Sequence, residues 1–295
     1  MEKPIVYFTK EITPSSLIRI YEKLGVELKG KVGVKISTGE PGGNNYLKPE
    51  LIDDLVKKLN ANIIECNTAY SGKRNTVSDH MKAAQEHGFT NIATVDIMDS
   101  DGEFEIPVNG KHLDVDIVGN HLKNYDSMLE LSHFKGHAMG GFGGALKNQS
   151  IGVASRNGKA YIHSAGVTRN PDECWSKLPL QDDFLESMVE AAKGVADYFK
   201  NNNKTILYIN VMNNLSVDCD CDSSPEDPCM DDIGILASID PVALDQACID
   251  KIWNSTDRGR NHFIERVERQ NGRHILEYAQ NLGFGSREYE LVNID

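Results

Sequence analysis

Three cysteines fall within eleven residues of one acidic stretch: Cys219, Cys221 and Cys229 in VDCDCDSSPEDPCMDD. Seven carboxylates and no Lys or Arg lie between Asp218 and Asp232. Thiolates bind soft metal ions at about 2.3 Å, and a local bend would bring the first two sulfurs to one ion. A bound cation would also offset the negative charge around it. The stretch therefore predicts an iron–sulfur cluster or a single iron or zinc ion held by these cysteines.

The sequence does not identify the fourth metal ligand. Cys174 in NPDECWSKLP is one candidate, and His163, His133 and His137 are others. The cysteine spacing matches neither a zinc finger nor a ferredoxin run, so the pattern does not choose the metal. Three further interpretations remain: a solvated acidic loop whose cysteines bind nothing, a structural zinc ion that only pins the loop, and a calcium site built from the carboxylates, whose spacing matches no known calcium loop.

A second set of reactive side chains lies in SHFKGHAMGGFGGALKNQSIG. His133, Lys135 and His137 alternate at the end of an apolar strand, where α/β sheets place their ligands, and we interpret them as candidate catalytic residues, with a histidine as proton carrier. Accessible glycine N–H groups and a short helix opening at GGALKN favour a bound phosphate or carboxylate. Glycine packing beside surface histidines is the structural alternative. The predicted ligand-binding residues are Lys35, Gly140, Gly141, Gly143, Gly144, Lys147 and Asn148.

Three smaller groups of side chains have simpler interpretations. The loop NTAYSGKRNT adds Ser71, Lys73 and Arg74 to the same rim of the predicted sheet. His80 and His87 are seven residues apart on one predicted helix and are expected on its surface. Cys66 and Cys248 lie in apolar segments and are expected to be buried small side chains.

Composition and charge exclude several classes of protein. The 295 residues are 40% apolar and 25% charged, as in ordinary globular proteins. The net charge of −13, with no basic patch, argues against nucleic-acid binding. No apolar run approaches the roughly 20 residues of a membrane helix, and MEKPIVYFTKEI is charged where a secretory signal is apolar. We therefore expect a cytoplasmic protein with neither a membrane nor a nucleic-acid partner.

Short apolar strands alternate with helical patterns along the chain. Strands are predicted in PIVYF, KVGVKIS, ANIIECNT and NIATVDIM, and again in KAYIHSAG and KTILYINVMNNLSV. The first helix is expected to be capped by Thr13 or Ser15 and to end at Gly25. The segment FEIPVNGKHLDVDIV is predicted to form a hairpin that turns at Asn109-Gly110.

This alternation is typical of an α/β fold with a mainly parallel, mixed sheet and helices on both faces. An amphipathic helix is predicted over residues 182–200 and another helix from Pro241. Residues 1–295 are predicted to form one domain, with a two-lobed sheet as the alternative. Residues 254–295 are predicted to be a helical extension that ends in a strand, YELVNI.

Several segments together resemble the domain-of-unknown-function 362 family, often labelled iron–sulfur centre proteins. They are GVKIS, HFKGHAMGGFGGALKNQSIG, CDC and DIGILASIDPVALDQACIDK, and the resemblance runs from about Lys31 to Trp253. Many members carry a ferredoxin-like module with two four-cysteine runs after the segment that matches AYIHS. This chain has only VTRNPDECWSKLPLQ there. The resemblance therefore implies a family without implying a ferredoxin-type pair of clusters.

Taken together, these patterns predict a metal- or iron–sulfur-binding protein of unknown reaction, with a crevice for a small anionic molecule and a redox partner. An oxidoreductase or another metal-dependent enzyme would fit that prediction. The alternative is a non-catalytic protein that binds a small phosphate or carboxylate while its cysteines carry no metal.

Overall fold

An eight-stranded sheet lies at the centre of the molecule in the computed structural model, which describes residues 2–295. The strands are β1 (Ile5–Thr9), β2 (Val32–Lys35), β3 (Asn62–Glu65), β4 (Val95–Ile97), β5 (Glu103–Pro107), β6 (Val115–Gly119), β7 (Ser127–His133), β8 (Lys135–His137), β9 (Gly141–Gly143), β10 (Thr205–Met212), β11 (Gly234–Ser238) and β12 (Glu290–Asn293). The helices are α1 (Pro14–Lys23), α2 (Pro49–Lys58), α3 (Val77–Glu86), α4 (Ala145–Lys147), α5 (Arg156–His163), α6 (Pro171–Cys174), α7 (Gln181–Asn201), α8 (Pro241–Trp253), α9 (Arg260–Arg269) and α10 (His274–Asn281).

The strand order of the main sheet is β12-β1-β11-β10-β7-β2-β3-β4. Strand β11 runs antiparallel to both of its neighbours, and the remaining neighbours pair in parallel. The prediction of a mainly parallel, mixed sheet is therefore confirmed. Because β2, β3 and β7 are parallel neighbours in this part of the sheet, their carboxyl ends meet at one edge, where the candidate site lies.

Both faces of the sheet are covered by helices. Along β10, Leu207, Ile209 and Val211 pack into the apolar cluster that contains residues of α1 and α2. Tyr208 and Met212 point the other way, into the cluster built with α7 and α8. Successive side chains of a strand point to opposite faces. Because helices cover both faces of the sheet, this central strand carries apolar side chains on each of them.

Local signals in the sequence set several helix ends correctly. Thr13 caps α1 by accepting a hydrogen bond from the backbone N–H of Ser16, and Gly25 follows the helix with a φ of +66°. Asp240 caps α8 in the same way, one residue before Pro241. The amphipathic helix predicted over residues 182–200 is α7.

The hairpin prediction is confirmed, since β5 and β6 pair antiparallel, although the connection is longer than a two-residue turn. The strand predicted in KAYIHSAG is wrong, because these residues belong mostly to α5. Ser155 caps this helix by accepting a hydrogen bond from the backbone N–H of Gly158. The β-branched and aromatic residues that suggested a strand are instead buried along the helix, and packing overrides their intrinsic preference.

The strand predicted to carry His133, Lys135 and His137 leaves the sheet part-way. Strand β7 ends at His133, and β8 then pairs with β9 in a separate two-stranded ribbon. The C-terminal segment contains α9 and α10. It ends in β12, which is the predicted final strand and pairs in parallel with β1. Among residues 2–295, no helix combines the length and the apolar character needed to cross a membrane.

One acidic side chain lies inside the central sheet. Glu130 of β7 is fully buried, faces Lys35 of β2 in register, and neither of its carboxylate oxygens has a hydrogen-bond partner within residues 2–295. Burial raises the pKa of Glu130 to about 8, although the charge of Lys35 opposes this shift. The side chain is therefore held as a neutral acid at pH 7.

We expect Glu130→Gln to become increasingly stabilising as the pH rises from 5 to 8. In this range the unfolded chain ionises at Glu130 while the folded protein keeps the proton, so the wild type loses stability with rising pH and the amide variant does not. The gain at pH 8 should be about 1–3 kcal/mol relative to pH 5. Urea unfolding of both proteins at three pH values measures it. A difference that does not change with pH would contradict the assignment.

Candidate functional site

A cavity of about 200 Å³ opens at the carboxyl ends of β2 and β3 and beside the β8–β9 ribbon. Its wall contains five basic side chains: Lys35, Arg74, Lys135, Lys147 and Lys159. All of these except Lys147, which is half-buried, are buried. Glu65 is the one carboxylate in this wall among the described residues. The cavity is therefore strongly basic inside a protein whose net charge is −13.

Three of the five cations form no ion pair with a carboxylate within residues 2–295: Lys147, whose Nζ lies 3.6 Å from the Cys219 sulfur, and the buried Lys35 and Lys159. Lys35 and Lys159 are 2% and 6% exposed, and neither forms an ion pair within residues 2–295. The Nζ of Lys35 donates to the Ile36 carbonyl at 2.6 Å and to Oδ1 of Asn148 at 3.0 Å. The Nζ of Lys159 donates to the Ala154 carbonyl at 2.5 Å. Burial lowers the pKa of Lys159, and it lowers that of Lys35 to about 8.

Arg74, by contrast, is fully neutralised. Its guanidinium contacts Glu40 at 3.2 Å, Glu65 at 3.4 Å and the hydroxyl of Tyr70 at 3.1 Å. Burial alone would raise the pKa of Glu65, but the charges of Arg74 and His80 hold it well below its usual range. This network ties the loop after β3 to the loop after β2 and forms one rigid side of the cavity.

The expectation that His80 and His87 lie on the helix surface is wrong for His80, which is fully buried. Its Nε2 lies 2.5 Å from Oε2 of Glu65, at the end of the neighbouring strand. His87 is half-buried, stacks on Tyr46 with ring centroids 4.3 Å apart, and hydrogen-bonds the Thr38 carbonyl. The face of α3 that carries His80 is turned toward the sheet, where the ring joins Thr38 and Arg74 around the Glu65 carboxylate.

The two cysteines of CDC lie together at one end of the cavity. A turn closed by the N–H of Asp222 donating to the Cys219 carbonyl at 2.9 Å brings them side by side. Their sulfurs and a ring nitrogen of His137 all lie within 4.8 Å of one another. The Sγ of Cys219 accepts from the backbone N–H of Cys221 at 3.4 Å and from Nζ of Lys147 at 3.6 Å.

The surroundings of Cys219 favour a thiolate. The hydrogen bond from the Cys221 thiol holds the pKa of Cys219 well below its usual range, and the charge of Lys147 and a hydrogen bond from His137 add to this effect. The same hydrogen bond raises the pKa of Cys221. The cation missing from the acidic stretch in the sequence is therefore supplied by Lys147, from the glycine-rich segment.

The orientation of His137 limits what it can ligate. Its Nδ1 accepts backbone N–H bonds from Gly140 at 2.8 Å and from Met139 at 3.2 Å. That nitrogen cannot carry a proton, and burial lowers the pKa of the ring, so the proton of the neutral imidazole is on Nε2. Nε2–H is then a donor toward Cys219, whereas a metal-binding Nε2 needs the proton on Nδ1.

The structure does not bring Cys229 or Cys174 to this pair. The Cys229 thiol donates to the Leu215 carbonyl at 3.2 Å, and the Cys174 thiol faces the Pro171 carbonyl at 3.4 Å inside α6. The acidic loop folds back, but it returns Cys229 to Leu215, whose carbonyl also accepts the Cys229 backbone N–H at 2.9 Å, and not to the CDC pair. Cys66 and Cys248 are buried, as predicted.

Protein cations also neutralise the first two acids of the cysteine loop. Asp220 lies 2.8 Å from Nδ1 of His133 and 3.2 Å from Nζ of Lys135, and Asp218 lies 2.9 Å from Arg266. The other ring nitrogen of His133 hydrogen-bonds a backbone carbonyl. His133 is outside the cavity wall, so of the three predicted catalytic residues only Lys135 and His137 reach it.

The predicted glycines do not line the cavity. Instead, Gly144 allows close packing, because a Cβ there would meet the Asp245 carboxylate at 2.3 Å. Asp245 accepts the N–H groups of Ala145 and Leu146, so the start of α4 is already occupied by a carboxylate of the protein. Gly141 adopts a φ of +79° in the turn of the ribbon. Gly140 and Gly143 likewise belong to the β8–β9 ribbon and its turn.

Three of the predicted ligand residues do lie in the wall: Lys35, Lys147 and Asn148. Lys159 and His163 were missed as cavity residues because their segment was assigned to a strand. On α5 they lie one turn apart and face the cavity together. The signal that could have identified this helix is the capping serine at position 155.

The model of one protein family, Domain of unknown function (DUF362), matches residues 32–250. The chain belongs to this family. The match contains both cavity-lining loops, the glycine-rich segment and the CDC pair, so the site lies wholly within the family region. No curated protein matches the chain.

Two solved structures are similar to this fold. The lactate racemase apoprotein from Thermoanaerobacterium thermosaccharolyticum is 17% identical with a TM-score of 0.42, over 70% of this chain and 50% of that one. A protein of Thermotoga maritima is 11% identical with a TM-score of 0.43, over 92% of this chain and 59% of that one. The chain thus spans between half and three fifths of the length of either neighbour.

An iron–sulfur cluster does not fit the residues around CDC. Such clusters take four protein ligands, usually thiolates, and the described residues bring only Cys219 and Cys221 together. His137 does not complete the set, because its Nδ1 already accepts backbone N–H groups. Cys219 and Cys221 could therefore hold at most a single metal ion, as its two sulfur ligands.

We expect Arg74→Met to destabilise the fold by about 3–5 kcal/mol, because it leaves Glu40 and Glu65 buried without their counter-charge. Urea unfolding measures the loss. Lys57→Met is the matched control, since Lys57 is 62% exposed and pairs with Asp53 on the helix surface. It should cost less than about 0.5 kcal/mol. Equal losses in the two variants would contradict the assigned role of the Arg74 network.

Proposed function

We propose that this protein binds a small, multiply charged anion, a carboxylate or phosphate ester, in the basic cavity. The observation that supports this proposal is the pair of buried ammonium groups, Lys35 and Lys159, without a carboxylate partner. A buried charge that is paired only with carbonyl and amide oxygens is unfavourable, and a bound anion would remove that cost. Lys147 and Lys135 extend the positive wall toward the cysteines.

The rest of the wall indicates that the ligand also has an apolar part. Ile151, Met139 and Trp175 also line the cavity. His163 offers a single acceptor there, because its Nδ1–H donates to the Lys159 carbonyl at 2.7 Å. Burial lowers the pKa of His163 to about 4, so the ring stays neutral and can accept a ligand hydroxyl or N–H at Nε2. An organic acid or phosphate ester with one donor group would satisfy this wall.

A second candidate function is the binding of a single iron or zinc ion at the CDC pair. The convergence of Cys219, Cys221 and His137 within 4.8 Å favours it. The ammonium of Lys147, 3.6 Å from the Cys219 sulfur, and the acceptor role of His137 Nδ1 oppose it. Under this candidate the anion would bind beside the metal. The cytoplasm, whose thiols are reduced, remains the expected location under either candidate.

Sulfate binding tests the main proposal. We expect isothermal titration calorimetry to show one sulfate site, with an affinity at least about tenfold lower in Lys35→Met and in Lys159→Met, because each removes one buried charge. Lys82→Met is the control, since Lys82 is 72% exposed on the outer side of α3 and should leave the affinity unchanged. A wild-type protein that binds no sulfate, or variants that bind as tightly as wild type, would count against the proposal.

Sulfate affinity should also fall as the pH rises from 7 to 9. The pKa of Lys35 is lowered to about 8 by burial, so its charge is present below that pH and lost above it. Sulfate itself does not titrate in this range. Lys35→Arg should bind sulfate with less dependence on pH, because a guanidinium stays charged throughout. The same pH profile in both proteins would rule out Lys35 as its source.

Metal analysis distinguishes the two candidates. For protein purified without oxygen we expect substoichiometric iron and zinc and no acid-labile sulfide. One equivalent of metal that is lost in Cys219→Ser and Cys221→Ser, and kept in Cys174→Ser and Cys229→Ser, would establish the second candidate instead. Acid-labile sulfide would contradict the two-thiolate geometry itself.

A further inference from the structure

We propose that Cys219 and Cys221 form a reversible disulfide by exchange with a low-molecular-weight disulfide, and that this disulfide strengthens anion binding in the neighbouring cavity. The first half of this inference stands on the geometry of the cysteine pair. The second half rests on the proposed anion-binding function.

The geometry of the pair suits disulfide formation. The turn closed by Asp222 holds the two cysteines side by side, with their sulfurs within 4.8 Å. Both cysteines also line a second pocket that adjoins the cavity, together with Ser71 and Ser223. Ser71 and Ser223 are exposed and Cys221 is half-buried, so this pocket is the path by which a small disulfide would reach the buried Cys219 from solvent.

The attacking sulfur is Cys219, which accepts hydrogen bonds from the backbone N–H of Cys221 and from Lys147. Its thiolate attacks one sulfur of the small disulfide, breaks the S–S bond and releases one thiolate. Cys221 then loses its proton to that thiolate, and its sulfur attacks Sγ of Cys219 and releases the second thiolate. Two electrons pass from the cysteine pair to the small disulfide, which becomes two thiol equivalents.

The bond closes a ring over a single intervening residue. Short rings depart from relaxed disulfide geometry, and strained disulfides are more easily reduced. We therefore expect the bond to open again in the presence of a monothiol, as a reversible switch requires. Cys229 cannot take part, because its sulfur faces the Leu215 carbonyl outside the pair.

Lys147 links the disulfide to the cavity. Its ammonium is 3.6 Å from Sγ of Cys219 and also lies in the cavity wall. In the reduced protein the Cys219 thiolate offsets this positive charge. A disulfide carries no charge, so oxidation leaves Lys147 without its counter-charge and adds one unit of positive charge to the wall. Cys221 itself lines the cavity, so the bond forms at the edge of the anion site.

The test treats the protein with oxidised glutathione, after its metal content has been measured. Peptide mass spectrometry should show a Cys219–Cys221 bond, with the loss of two hydrogen atoms and no retained glutathione. Calorimetry should show sulfate bound about tenfold more tightly by the oxidised than by the reduced protein. Both changes should reverse with dithiothreitol.

Matched cysteine variants separate the steps. In Cys221→Ser the exchange reaction should end at the mixed disulfide between Cys219 and glutathione. Cys219→Ser should bind sulfate with the higher affinity whether or not oxidant is present, since a hydroxyl carries no charge. Cys229→Ser should behave as wild type, because it lies outside the pair.

The possible failures differ from one another. If the Cys219–Cys221 bond does not form in excess oxidised glutathione, the proposal is overturned. If the bond forms and a protein that binds sulfate does so equally well in both states, the link to the cavity is overturned. If the bond forms and neither state binds sulfate, the proposed anion-binding function fails while the exchange activity stands.

Discussion

Positive charge buried without enough negative charge to match it is the constraint on which this site depends. Lys35 and Lys159 are held by backbone carbonyls and one side-chain amide, whose dipoles cannot replace a full counter-charge. The carbonyls come from residues just beyond β2 and from the turn before α5, so they are fixed by the fold. The positive charge of this site is therefore not balanced within residues 2–295, and the proposed anion would balance it.

Other charged side chains around the cavity, in contrast to Lys35 and Lys159, are paired with opposite charges. Arg74 is matched by Glu40 and Glu65, and Asp220 by His133 and Lys135. Such closed networks hold loops from different strands in one arrangement, because breaking any member leaves a buried charge unpaired. The walls that carry Lys35 and Lys159 are therefore held in place, and these two ammonium groups do not move to pair with nearby carboxylates.

The sequence was informative where chemistry is local. Strand–helix alternation predicted the sheet, and Thr13 and Pro241 marked helix starts, because capping depends on residues only a few positions apart. Lys35, Lys147 and Asn148 were predicted from their places at strand and loop ends. The membership of the family followed from longer segments and was confirmed over residues 32–250.

The rest depends on contacts between distant segments. Nothing local shows that Lys147 would reach Cys219, 72 positions away, or that Asp245 would occupy the start of α4 from 100 positions away. The acidic stretch therefore suggested a metal as its counter-charge, when Lys147, Arg266 and Lys135 supply positive charge from other parts of the chain.

The contrast between the basic cavity and the acidic exterior has a kinetic consequence. A molecule with a net charge of −13 repels small anions at long range, whereas the proposed anion would meet buried positive charge once inside the cavity. Dissolved salt screens the long-range repulsion over about 10 Å at 0.1 M, while the enclosed charges are screened much less. The rate of ligand entry should thus rise with moderate ionic strength. In proteins whose surface charge attracts the ligand, that rate falls with ionic strength.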